Sequence, residues 1–371
     1  MNASNSRIRH ALRFEQLEAR CVPAVSFDSG AGLLNVTGDE AGQFDDVIQA
    51  NTVTGGFVEV TINGTLHSSD PGSANFDAAL TGASATSVTS ISIQGLAGSD
   101  TLAVGNGFTA AGGHITLEGG SGHDLLTGSD QAELLLGGAG RDTLSGGGGA
   151  DTLRGGLSND QLDGEAGDDL LRGGNGDDTM QGGEGTDTVM QVVDADQTLT
   201  DTSLTGRGTD SLGGIERGDL TGGAGDNRID ATSFALGGLM IAGGDGNDTL
   251  LAGQRDDTVI GGGGNDRIDG RTGADLASGG EGNDNVSNAG GADTLRGGDG
   301  DDTLTGAFGD DDLIRGGKGN DLLVVFTRGD LSPGDDSLFG GPGSDSFRID
   351  PGTEDHVKDT GPEDTVEVVP L

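Results

Sequence analysis

The chain has no tryptophan and no tyrosine, and aromatic residues make up only 3% of its 371 positions. A single large globular core packed on aromatic side chains is therefore excluded. The one cysteine, Cys21, excludes an intramolecular disulfide. Seven prolines, and glycine that does not recur every third residue, exclude a collagen triple helix. No apolar run approaches ~18 residues, so no transmembrane helix is expected. Basic residues are scarce: 19 Lys and Arg stand against 62 Asp and Glu, for a net charge of −43. That balance argues against a nucleic-acid partner, since phosphates need a basic surface. A compact state of this charge repels itself unless cations neutralise it.

What the chain has instead is glycine, 76 residues of it, with aspartate set among them. From Gly119 the sequence repeats every nine residues, as in Gly137-Gly-Ala-Gly-Arg-Asp-Thr-Leu-Ser145 and Gly173-Gly-Asn-Gly-Asp-Asp-Thr-Met-Gln181. Position six holds Asp124, Glu133, Asp142, Asp151, Asp160, Asp169, Asp178 and Asp187. Position eight holds Leu126, Leu135, Leu144, Leu153, Leu162, Leu171, Met180 and Val189. A degenerate earlier copy begins at Gly95, with Asp100 and Leu102 in register. A second block opens at Gly243, with Asp248, Asp257, Asp266, Asp275, Asp284, Asp293 and Asp302 at position six. Asp311 and Asp321 are read as continuing that series, with one extra residue between their frames. Two further copies carry Asp336 and Asp345. A flexible glycine-rich linker has no reason to keep Asp at six and an aliphatic residue at eight through so many frames.

The rest divides by composition. Residues 1–23 form a basic tail, 24–94 a β-rich cap of short alternating segments such as Phe57-Val-Glu-Val-Thr-Ile62, and 95–190 the first repeat block. Residues 191–242 read as an irregular solenoid connector, 243–348 as the second block and 349–371 as an acidic tail. The tail at the N-terminus lacks the apolar run of ~7–15 residues of a secretory signal.

The spacing has a physical reading. Positions one to six form a turn, with glycine where φ is positive or backbones approach closely. Positions seven to nine form a very short strand whose middle residue points inward. Two nonapeptides close one coil of eighteen residues, and coils stack at about 4.8 Å. The expected fold is all-β, a solenoid with two thin aliphatic columns inside. Carboxylates eighteen residues apart then stack on one edge and repel. Ca²⁺ between successive turns resolves this, since two carboxylates and several carbonyls approach its usual 6–8 oxygen ligands. Mg²⁺ demands a tighter octahedron, and zinc lacks its Cys and His ligands. The intervals between same-edge carboxylates suggest about thirteen ions, a dozen or so. Asp168, Asp177, Asp256, Asn265, Asn283 and Asp301 at position five are read as solvated turn residues.

The nonapeptide GGxGxDxUx resembles the repeat-in-toxin (RTX), haemolysin-type calcium-binding family over about residues 95–348. The resemblance implies a right-handed parallel β-roll, extracellular Ca²⁺ binding by the position-six aspartates named above, and often export by type I secretion. Glu133, Asn227 in the copy at Gly222, and Ser129, Arg271 and Ala289 in place of glycine depart from the pattern. Phe14-Glu-Gln-Leu-Glu-Ala-Arg20 is similar to the FE-x-LE-x-R motif near the start of some bacterial surface and exported proteins.

No catalytic signature is present: there is no H-E-x-x-H and no G-x-S-x-G. The expectation is a secreted or surface-associated calcium-binding protein that is not an enzyme, with a matrix polysaccharide or protein partner left open. The alternative is a secretion and folding module of an exported enzyme, toxin or adhesin. Position seven, with Thr143 and Thr152 but also Leu134 and Gln161, is too irregular for a flat adhesive threonine ladder.

Overall fold

The computed structural model describes residues 24–368 except 30, 32, 39–44, 54–56, 70, 76, 81–82, 85, 109–113, 308–310, 327–334, 350–355 and 360. The FE-x-LE-x-R segment and Cys21 lie outside the described residues.

Aliphatic residues at every second position of short strands leave one arrangement that buries them: two ladders facing each other. The chain alternates between these ladders. Among the described residues the first sheet has 16 strands and runs from Ala24–Asp28 to His356–Asp359. The second begins with the antiparallel strands Thr65–Ser68, Phe57–Ile62 and Val47–Val53, passes to Thr101–Val104, and ends at Thr365–Val368. Pairings within the repeats are parallel with a step of eighteen, as in Leu135↔Leu153↔Leu171 and Leu144↔Leu162↔Met180. The fold is thus the all-β solenoid that the repeat demands.

Position eight makes the core. Leu126, Leu135, Leu144, Leu153, Leu162 and Leu171 are each 0% exposed. From the end of the connector through the second block, Ile241, Val259, Ala277 and Leu295 continue one column and Leu250, Ile268, Val286 and Leu304 the other.

Many strands are longer than the expected three residues. Thr152–Leu157 and Leu170–Asn175 each run through the first two glycines of the next frame. Glycines pair across coils there, as in Gly138↔Gly156. Gly138 and Gly140 adopt φ of 111° and 131°, where a side chain is strained. The carbonyl of Gly122 lies against the α-carbon of Gly140, so a Cβ has no room. The ladder continues through the turn because nothing but backbone stands between successive coils.

Residues 191–242 keep the first sheet continuous, Thr188–Val192 pairing with Arg217–Thr221 and that strand with Leu239–Asp245. On the second sheet the coil widens into an antiparallel meander, Gln197–Thr200, Ser203–Thr205 and Thr209–Gly213. Both sheets extend past the last repeat, through His356–Asp359 and Thr365–Val368.

Candidate metal centre

Each position-six aspartate opens a strand, so its backbone is held by the ladder while its side chain turns into the corner of the coil. The carbonyl of Asp124 accepts from Thr143 N–H at 2.8 Å, and that of Asp142 from Gln161 N–H at 2.9 Å. The side chains do not merely stack. The N–H of Asp124 donates to Oδ1 of Asp142, that of Asp142 to Oδ1 of Asp160, and that of Asp160 to Oδ1 of Asp178, each at 2.8 Å. The opposite edge repeats this from Glu133 through Asp151 and Asp169 to Asp187. In the second block the chain runs Asp248, Asp266, Asp284, Asp302 and Asp321. One carboxylate oxygen per turn is therefore spent on the preceding coil's backbone.

The other oxygen has no partner. Oδ2 of Asp124, Asp142, Asp151, Asp160, Asp169, Asp178, Asp187, Asp248, Asp266, Asp284, Asp302 and Asp321 is buried without a hydrogen bond. Burying a carboxylate oxygen unpaired is costly, and the ordinary remedy is protonation or a cation. Burial pushes Asp151, Asp160 and Asp302 up to about 7, against the downward pull of one backbone N–H; charges in neighbouring turns add to the rise. For the same reasons Asp124, Asp169, Asp284 and Asp321 rise to about 6.

These groups fit Ca²⁺ by donor chemistry: hard oxygens only, a carboxylate oxygen without a partner at each regular turn, and turn carbonyls close by. Among the described residues no three His, Cys, Asp or Glu side chains converge. An ion held here would take at most two carboxylates and complete its shell with backbone carbonyls.

The two edges differ in the second block. The edge carrying Asp248, Asp266, Asp284, Asp302 and Asp321 stays regular. On the other, Oδ2 of Asp257 accepts from Gly253 N–H at 2.9 Å and Oδ2 of Asp275 from Asn288 Nδ2 at 3.0 Å. Both turns depart from the glycine pattern, with Ala252 and Arg255 in the first and Arg271 in the second where glycine is regular. At Asn227 the side-chain oxygen accepts Gly223 N–H at 2.7 Å, and the amide brings no charge. Glu133 turns its longer side chain onto Ser129, N–H to Oε2 at 3.2 Å.

One sequence assignment needs correction. Asp312, not Asp311, occupies position six. Asp312 is buried, accepts from Asp293 N–H at 2.9 Å and donates its own N–H to Asp336 Oδ1 at 2.8 Å. Asp311 is exposed and accepts from Asp335 N–H, the position-five role. The extra residue lies before the aspartate, so Ile314 rather than Leu313 enters the core. Asp336 and Asp345 sit at position six as read, both buried. The position-five side chains also form a ladder: Asn265 N–H donates to Asn247 Oδ1 and Asn283 N–H to Asn265 Oδ1, at 2.8 and 2.7 Å on the exposed side.

Two equivalent carboxylates escaped the sequence reading. Asp46 is buried and donates N–H to Asp100 Oδ1 at 2.6 Å, and Asp100 does the same to Asp124 at 2.8 Å. Asp210 accepts from Asp178 N–H at 3.0 Å and is pushed up to about 6, first by burial. Asp45-Asp46-Val47-Ile48 is like Asp177-Asp178-Thr179-Met180, but the sequence before it has Ala41 and Phe44 where the repeat has glycine. Asp210-Ser211-Leu212 has the right end with 32 residues since Asp178.

The model of the RTX calcium-binding nonapeptide repeat (four copies) matches residues 116–144, 127–162, 154–189, 242–277, 263–293, 278–313, 287–323 and 332–348. No curated protein matches the chain. Residues 116–189, 242–323 and 332–348 thus carry RTX calcium-binding nonapeptide repeats, the repeat of a calcium-binding β-roll.

Proposed function

We propose that this is a secreted or surface-associated, non-enzymatic protein whose β-roll folds when Ca²⁺ settles between successive GGxGxD turns. The observation that supports this is the row of buried aspartate oxygens without partners. Without a cation, each must be protonated or remain an unpaired buried charge. Asp124, Asp142, Asp160 and Asp178 on one edge, Asp151, Asp169 and Asp187 on the other, and Asp248, Asp266, Asp284, Asp302 and Asp321 in the second block would hold the ions. The bound ion supplies neutralisation and cross-bridging of neighbouring coils, not chemistry on a substrate.

Three intervals lie along Asp124 to Asp178, two along Asp151 to Asp187 and four along Asp248 to Asp321, about nine sites in all. Spacing alone counts about thirteen, but the irregular edge of the second block already spends its carboxylates on Gly253 and Asn288. Extracellular modules bind Ca²⁺ at about 10⁻⁴–10⁻³ M, so such a chain stays unfolded inside a cell and folds outside it. RTX repeats are typical of secreted proteins, which supports the location. Fractionation of producing cells tests it: the protein is expected outside, and its retention in the cytosol contradicts the reading.

Calorimetric titration of the chelator-stripped chain with CaCl₂ tests the binding itself. About nine equivalents with strong cooperative heat are expected. No heat up to millimolar CaCl₂ overturns the proposal.

A further inference from the structure

The outward faces of the two sheets differ in chemistry. At position nine the second sheet carries Ser145, Asp163 and Gln181 in register. The same stretch of the first sheet carries Leu136, Arg154 and Arg172. Arg154 and Arg172 are direct register partners in adjacent strands, so their backbones lie about 4.8 Å apart with both side chains outward. Arg207 reaches the same place from the widened coil. Its Nε and Nη2 donate to the Val192 carbonyl at 3.1 and 2.9 Å, and its Nη1 donates to Asn175 Oδ1 at 2.8 Å. The three arginines border a shallow cleft of about 260 Å³ that also includes Gly173, Gly174 and Asn175.

Arg207 is fixed by those bonds, whereas Arg154 and Arg172 are uncommitted. Among the described residues the ion pairs are His67–Asp77, Arg228–Asp230, Lys318–Asp299 and Arg348–Glu367. The acids in the same column are each two strands away, Glu118 beyond Arg154 with Leu136 between them and Asp219 beyond Arg172 with Met190 between them. Burial, then the charges of Arg207 and Arg154, hold the Arg172 guanidinium below its ordinary value. Like charges in register across a ladder repel. A chain with 19 basic and 62 acidic residues has ample means to neutralise them, and here it does not.

We infer that this cleft binds one oxyanion group, such as a sulfate or carboxylate, between the guanidinium forks of Arg154 and Arg172 with Arg207 as a fixed third cation. Guanidinium matches such groups with paired N–H donors. The acidic turns along both edges of the roll repel a long polyanion. The ligand is therefore a single group, either a free ion or one carried by a larger molecule such as a saccharide.

The test is calorimetric titration of the full chain in CaCl₂, its β circular dichroism confirmed, with sodium sulfate and separately with a monosulfated disaccharide. One site per chain is expected. Arg154→Gln with Arg172→Gln lowers affinity at least about tenfold at unchanged circular dichroism, while Arg267→Gln on the second sheet changes nothing. Should the double variant lose its β signal, Arg154→Gln alone is used, with a loss of at least about threefold. Binding of both probes means that the free ion suffices, and binding of the disaccharide alone assigns the group to a saccharide; both outcomes support the site. No heat from either probe, or unchanged affinity in the arginine variants, overturns it.

Discussion

A position-six aspartate does two jobs with its two oxygens, and they separate experimentally. Oδ1 ties its coil to the preceding one, while Oδ2 is left for a cation. Asp266→Asn keeps an acceptor for the Asp248 N–H but removes the charge. It is expected to weaken binding at the two flanking intervals roughly tenfold and lower the calcium count. Asp257→Asn is expected to lower the melting temperature yet leave the count unchanged, because Oδ2 of Asp257 already serves Gly253. Equal calcium loss in both variants contradicts this division. The raised carboxyls also set a pH dependence in EGTA. A folded-state pKa above the unfolded value favours the fold below the unfolded pKa, and that gain is lost as pH rises through the folded one. Circular dichroism without calcium should therefore show β structure near pH 4 that disappears as pH passes about 6–7, where Asp124, Asp151, Asp160, Asp169 and Asp302 ionise. A β signal that grows with pH in EGTA is the contrary result.

At the scale of one coil, the fold depends on two glycines and one aliphatic residue per nonapeptide. Leu153→Ala empties a fully buried position and is expected to cost about 2–5 kcal/mol. Gly140→Ala puts a side chain at φ 131° against the Gly122 carbonyl and is expected to cost about 1–3 kcal/mol. Because each coil touches only its neighbours, hydrogen exchange should rise near the altered coil and stay low in the second block. The period of nine made Asp at six and the inward residue at eight legible without coordinates, since both are fixed by the strand's alternation. Three features were not legible. Strand length depends on whether position-two glycines of adjacent coils pair, which is set across eighteen residues rather than within nine. The place of the extra residue before Asp312 is decided by which of Leu313 and Ile314 fills the core, and both are aliphatic. The roles of Asp257 and Asp275 turn on Gly253 N–H in the turn of Asp257 and on Asn288, which stands for glycine one coil beyond Asp275.

For the whole molecule the balance is between net charge and ordered divalent ions. About nine Ca²⁺ would offset roughly 18 of the 43 negative charges, leaving a folded chain that is still acidic. The interior is two columns of single aliphatic residues, thin for a fold of this length, so cations at the turns carry a share of stability that a globular core supplies elsewhere. The regular edge runs through both blocks, whereas the opposite edge is regular only in the first. The first block, with carboxylates available on both edges, is thus the part most tightly linked to calcium. Far-UV circular dichroism of the purified chain at pH 7.5, first in EGTA and then with excess CaCl₂, tests the central claim most directly. An unfolded spectrum that converts to β structure on adding calcium, and reverts with chelator, is what stacked, partnerless carboxylates require. A β spectrum already complete in EGTA and indifferent to calcium would contradict it.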